Sequence, residues 1–509
     1  MGVEEIPVGT AGVAWGGRVP YTSQPPPLSR QGADLASLGT INCDGAETMH
    51  QDRWGQDVTA ASAEAVAALD ETVMAYLGLR QDTGDVMKTA FRHDPEMPML
   101  SITRSYFMQL FCQNGLMVRA QQAIDGAEAA IAKHGATRRE AMHLETARTW
   151  LVGDFSRACA LWDEILMENP RDVLALRLAH FLHFYLGDTQ NTRDSVNRVM
   201  YAWDPSVPAY GFVKGMQAFG FEESGNYAAG EAAGREAVEI NNEDCWATHA
   251  VAHVMEMTGR HEEGIDWLEG LARNWGGVNN FKYHTWWHLA MYYLEREDYA
   301  KVLELYDTEF RAEPTDDHID ISNAVSMLGR LEMRGVDVGG RWGELGDVCA
   351  RHVDDHLYVF HDAHYVWAMA AAGRTDDVAK YLVGLPDAAK SDLTEGKVFR
   401  DVGIPLSDAI VAYMNKDYGK AVDLLAPVRY QVYRIGGSHA QRDLFAQLLV
   451  HVAIADGRYD FARGLISERL ERRPGSSLNW RWLGRTLDGL GDAAGAGDAK
   501  KRADDLIAA

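Results

Sequence analysis

The sequence predicts an all-α chain: a right-handed solenoid of stacked helix–turn–helix units, in one domain with an irregular N-terminal arm. Three observations carry this. From about residue 61 onward Ala, Leu, Met and Glu are abundant and Pro is scarce, a composition that favours helix. Hydrophobic residues make up 47% of the 509, enough to bury a large core and far from a disordered composition. A glycine–aromatic–alanine spacing also recurs at intervals, and such self-similarity marks a repeat architecture.

Taken in order, residues 1–60 are rich in Gly, Pro and Ser, with Pro25, Pro26 and Pro27 as the clearest breaker, and read as the irregular arm. Trp15 and Tyr21 carry apolar area that favours packing of this arm on the body. The clearest unit is EAMHLETARTWLVGDFSRACALWDEILMENP, residues 140–170. Gly153, Phe155, Ala158, Trp162, Ile165 and Pro170 fall there on the turn and second-helix signature of tetratricopeptide repeats. Small Gly and Ala let helices cross closely, aromatics fill the spaces, and Pro ends the second helix. The frame recurs at Gly457, Tyr459, Ala462, Ile466 and Pro474. Weaker copies place Gly225 with Tyr227, Gly259 with His261, Tyr299, Gly373, and Tyr418 with Ala421 at the same turn. His180 and His183 fall on packing positions and read as core histidines. A tetratricopeptide-like solenoid over residues 61–485 follows, closed by a helix and tail over 486–509.

The chain holds 49 basic and 74 acidic residues, a net charge of −25, and no basic cluster offsets it. Such a surface repels phosphate backbones and anionic headgroups, so neither nucleic acid nor membrane is expected as a partner. The five cysteines are scattered without a CxxC pair, which fits a reducing compartment. The N-terminal MGVEEIPVGTAG lacks the pattern of a secretory signal. No apolar run approaches the ~20 residues that span a bilayer. A soluble, cytoplasmic protein is expected. Nucleotide-binding glycine loops, HExxH and GxSxG are absent.

The chemistry concentrates in WATHAVAHVMEMTG, residues 246–259. Trp246, His249, His253 and Glu256 fall on one helical stripe about 80° wide. In tetratricopeptide repeats that stripe faces the concave groove, and a face that merely packed would carry Leu and Ala. His249 and His253 lie ~6 Å apart along the axis, a spacing at which two imidazoles can share a divalent ion, zinc or similar. Glu256 is too far along the helix to join both, so a third ligand would come from a neighbouring helix. The plainer alternative is two histidines that donate hydrogen bonds in a groove. The next unit, YHTWWHLAMYYL at 283–294, repeats the spacing with His284 and His288, and Trp287 is a candidate groove residue. Further candidates for contact with a substrate are Asp362 and His364, then His439, Arg442 and Asp443 at a helix start that attracts anions, and Glu140 with His143 in the first clear repeat. For the helix-start group the alternative is an N-terminal cap with a surface ion pair.

The blocks DCWATHAVAHVMEMTGRHEEG, HTWWHLAMYYLE, MQAFGFEESGNY and GGSHAQRD resemble the tetratricopeptide repeat protein 38 family. That resemblance implies an all-helical, degenerate-repeat fold and little about activity. The motif positions it carries over are His249, His253, Glu256, His284, His288, His439 and Asp443. Two functions compete. In the first, the solenoid encloses a pocket in which His249, His253, Glu256, His284 and His288 act on a small-molecule substrate as a hydrolase, by acid–base chemistry or with a metal. In the second, the chain is a non-catalytic peptide- or protein-binding scaffold. The His, Trp and carboxylate content of the stripe favours the first reading. Association into homo-oligomers is open to either.

Overall fold

A computed structural model describes residues 49–508. They begin with a short antiparallel hairpin, Met49–Gln51 against Asp57–Thr59, in which Met49 pairs with Thr59. Everything after it is helical, from Ala63–Leu77 to Ala493–Ala508, with no further strand among the described residues. Trp15, Tyr21 and Cys43 lie outside the described residues.

The repeat is written in its turns. At Gly153, Gly225, Gly259, Gly373 and Gly457 the backbone takes a positive φ. The next residue then donates its N–H to the carbonyl five residues earlier, as in Asp154 to Thr149, Asn226 to Phe221 and Arg458 to Ala453. This closes the first helix by satisfying its last carbonyls. The same residue often starts the second helix: the Asp154 carboxylate accepts from the Arg157 N–H. Two turns keep the geometry without glycine, at Glu297 (φ 58°) and Lys416 (φ 61°), ahead of Asp298–Tyr299 and Asp417–Tyr418. The second-helix alanines Ala158, Ala421 and Ala462 are fully buried. Trp162 fills the space between them and the first helix, edge-on to Trp150 at 5.5 Å. His180 and His183 are buried, as core positions should be.

Successive units stack, and the superhelix curls so that distant units meet. The Tyr358 hydroxyl donates to the Tyr185 carbonyl, Ser476 to Glu295, and the His439 N–H to the Glu223 carboxylate. The 216 residues between His439 and Glu223 measure how far the chain travels before it returns. No helix among the described residues is long and apolar enough to cross a membrane.

Candidate functional site

Helices Cys245–Thr258 and Phe281–Glu295 occupy equivalent places in adjacent units and bring their histidine pairs together. The His249 Nε2 lies 2.9 Å from that of His253 and 3.1 Å from that of His284, which is 3.3 Å from that of His288. The convergence expected from the two HxxxH spacings is present; an open groove around it is not. The four side chains are 0–4% exposed. Aromatic rings enclose them: Trp287 stacks on His284 at 5.3 Å, Phe219 stacks on His249 at 5.5 Å, and Trp246 and Phe281 close the sides. Trp246 and Trp287, expected to line a groove, are thus buried packing residues.

Three of the four outer nitrogens face side-chain oxygens. The Nδ1 of His284 is 2.8 Å from Asn323 Oδ1, that of His288 3.3 Å from Glu256 Oε2, and that of His253 3.6 Å from Glu222 Oε2. Glu256 therefore sits behind His288 rather than beside its own helix's histidines. Burial lowers all four imidazoles, to about 4 for His284, and the neighbouring rings add to this for His249, His253 and His288. Burial, reinforced by Glu223 and Glu256, raises the Glu222 carboxyl well above its usual range.

Beyond Glu256 lies an open cleft of about 750 Å³. Arg473 links the two regions, 3.4 Å from Glu256 and 3.8 Å from Asp443. The cleft is built from the end of Tyr210–Glu223, the last turn of Tyr418–Val428 with the loop after it, His439–Ala455 and Tyr459–Arg472. Its lining holds five arginines, 429, 442, 469, 472 and 473, against the three acids Glu223, Asp443 and Glu468. Leu425, Phe445, Leu449, Val450 and Leu465 supply apolar surface. Tyr430 and Tyr433 stand at the rim, 62% and 52% exposed, with the Arg429 guanidinium 4.2 Å over the Tyr430 ring. A second cleft of about 780 Å³ continues from the first, sharing Thr189, Tyr433, His439 and Arg442 with it.

His439, Arg442 and Asp443 thus come together in the cleft. Ser438 and Gln441 form a reciprocal cap at the helix start. Arg442 donates to the Gly437 carbonyl and lies 3.5 Å from Glu223. Asp443 takes both hydrogen bonds of a bidentate pair with Arg469, at 2.6 and 3.1 Å. Burial would raise its carboxyl, but Arg469, Arg473 and Arg330 hold it well below the usual range. The other candidates lie elsewhere. Glu140 is buried in a capping box and accepts from Thr59. His143 joins Tyr106 and Asp172 in a buried network. Asp362 pairs with His356 at 2.7 Å, and the His364 Nδ1 lies 2.7 Å from the Phe360 carbonyl, both buried. Sequence reasoning missed Arg429, Arg469, Arg472 and Arg473, although RLERR at 469–473 puts three arginines at i, i+3 and i+4 before Pro474.

No family model matches the chain. Human IFIT1, as a dimer with m7Gppp-AAAA, is 13% identical over 89% of this chain and 92% of that one, with a TM-score of 0.34. The IFIT1 dimer with PPP-AAAA gives a TM-score of 0.37 at 13% identity over 88% and 91%. The structure of Naa15/Naa10 bound to HypK-THB gives 0.22 at 12% identity over 73% and 64%.

Two expectations are corrected. The small-molecule hydrolase does not stand: its proposed acid–base histidines are walled in, and neither cleft is lined by any of them. The exclusion of nucleic acid, with a small-molecule substrate as the partner, does not stand either. It assumed no basic cluster, whereas the cleft gathers five arginines.

Proposed function

We propose that this chain is a non-catalytic scaffold whose arginine-lined cleft grips an acidic, apolar-bearing peptide segment of a partner protein. The observation that carries this reading is a cleft with five arginines and an apolar floor on a chain of net charge −25. Charge of that sign is concentrated against the trend of the molecule, which steers an anionic segment to one place. Arg472 is exposed, and the exposed Tyr430 and Tyr433 offer rigid contact area at little entropic cost. The continuous second cleft suits an extended chain. Leu425, Phe445, Leu449 and Leu465 lie just beneath the cleft, each 2–9% exposed, and the exposed rings of Tyr430 and Tyr433 meet apolar side chains of a peptide. Glu223, Asp443 and Glu468 interrupt the basic lining that a single-stranded nucleic-acid backbone would track.

The test is fluorescence anisotropy on the full chain with a labelled peptide alternating Glu and Leu, its Lys–Leu counterpart, and a single-stranded RNA. The Glu–Leu peptide is expected to bind, more weakly as salt rises, and the Lys–Leu peptide to stay free. Arg429→Glu and Arg472→Glu are each expected to weaken binding about tenfold, the equivalent of about 1.4 kcal/mol. Binding of the RNA without the Glu–Leu peptide would overturn the proposal.

A further inference from the structure

The histidine cluster is not used by the cleft, and its geometry has a purpose of its own. Three of the four outer nitrogens face oxygens: Asn323 Oδ1 at hydrogen-bond distance, and Glu256 Oε2 and Glu222 Oε2 at 3.3 and 3.6 Å. With the proton of each ring on the Nδ1 that faces an oxygen, the Nε2 lone pairs of His253, His284 and His288 point inward. His249 could place one N–H among them, toward His253 or His284. The 3.3 Å approach of His284 to His288 would still set lone pair against lone pair. A dry aromatic shell offers no relief for that opposition.

A cation at the centre removes the conflict. Four nitrogens around an ion at 2.0–2.1 Å, in a tetrahedron, stand ~3.3 Å apart. The separations of 2.9, 3.1 and 3.3 Å lie at or up to about 0.4 Å below that edge, and all four ligand atoms lie within 4.8 Å of one another. We propose that His249, His253, His284 and His288 form a closed, four-imidazole site for a first-row divalent cation, zinc by ligand type, that pins two successive repeats together. Two further observations point the same way. Carboxylate or amide oxygens behind ligating imidazoles are the usual outer shell of such a centre, and three of the four ligands have one. Both Glu222 oxygens are buried without a hydrogen-bond partner. A dication a few ångströms away offsets the cost of a carboxylate so placed. With four protein ligands there is no open position for substrate, so the ion's role is structural. This role is independent of the peptide cleft, and either can fail without the other.

The test uses the full chain produced in zinc-supplemented and, separately, cobalt-supplemented medium, then passed through gel filtration in the presence of a weak chelator. We expect one equivalent of metal per chain by mass spectrometry, and for cobalt the intense visible bands of a tetrahedral ion. Stripping and refolding should lower the melting temperature by about 5 °C or more, restored by ZnCl2. Glu256→Gln keeps all four ligands and should weaken cobalt binding ~10–100-fold, an effect a purely packing role would not produce. The double variant His284→Asn, His288→Asn should hold no metal. Wild-type chain that carries only trace metal from both media, or cobalt with the weak spectrum of an octahedral ion, would overturn the site whether or not the variants fold. Peptide affinity measured on the same samples separates this result from the scaffold reading.

Discussion

Replacing Asp443 with Ala removes the carboxylate on which the cleft wall converges. Asp443 holds Arg469 through two hydrogen bonds, 2.6 and 3.1 Å long, accepts from Gln447 at 2.7 Å, and lies 3.8 Å from Arg473. The Asp443 and Arg469 side chains are each 12% exposed, so the pair is largely desolvated. Breaking a buried pair costs about 3–5 kcal/mol, because the remaining charge is stranded. The residual exposure lets water reach that charge, which brings the expected loss to about 2–3 kcal/mol. Urea unfolding followed by circular dichroism measures it, and a double-mutant cycle with Arg469→Met isolates the pair. The effect has a pH signature. The arginines hold the folded-state carboxyl below its ordinary 3.8, so its stabilisation is present above that pH and disappears as pH falls through the lower folded value. The gap between wild type and variant should therefore persist from pH 7 to pH 4 and close only in stronger acid. A loss under about 0.5 kcal/mol at pH 7 would mean the pair behaves as a surface ion pair, and the account of a rigid cleft wall would be refuted.

Three further outcomes follow from single residues. Lys416 is exposed and left-handed at a turn where other repeats use Gly, so Lys416→Gly should raise stability by up to about 1 kcal/mol. Gly457→Ala, at φ 75° where an added Cβ would meet only the Tyr459 ring at 4.0 Å, should lower stability by about 1 kcal/mol; equal melting temperatures for both variants and wild type would contradict the turn analysis. Burial pushes the Glu395 carboxyl up to about 8, against the pull of the Val359 N–H. Its protonated form therefore stabilises fully below the unfolded 4.5, and that contribution is lost as pH rises toward 8, by about 1.4 kcal/mol per unit. Glu395→Gln should accordingly gain on wild type at pH 8 and not at pH 4.5, and a melting-temperature difference that is the same at both would refute it.

The repeat was legible in the sequence because its turn is local. Gly, a capping residue and an aromatic determine where one helix stops and the next starts, as at Gly153–Asp154–Phe155. Glu297 and Lys416 blur that signal, since they adopt the left-handed turn and its helix-closing hydrogen bonds without the residue that would announce it. The meeting of the two histidine pairs was also legible, from equal spacing in successive first helices. Their burial was not. A polar stripe looks the same whether it faces a groove or a neighbouring helix, and the partner Asn323 stands 39 residues from His284. The cleft was the least legible element. Only the superhelical return that brings Glu223 beside His439, 216 residues on, gathers its arginines around one space. The net charge of −25 then misled, because an average over the chain conceals a local reversal.

The central claim is that this cleft is where a partner segment docks. A photo-crosslinkable Glu–Leu peptide, mixed with the full chain and mapped by mass spectrometry after proteolysis, tests it most directly. Adducts should concentrate on residues 425–473 and 223–227, which supply most of the lining, and should fall away when Arg429 and Arg472 are both replaced by Glu. Adducts spread over the rest of the solenoid, or equal labelling by a Lys–Leu peptide of the same length, would contradict the account.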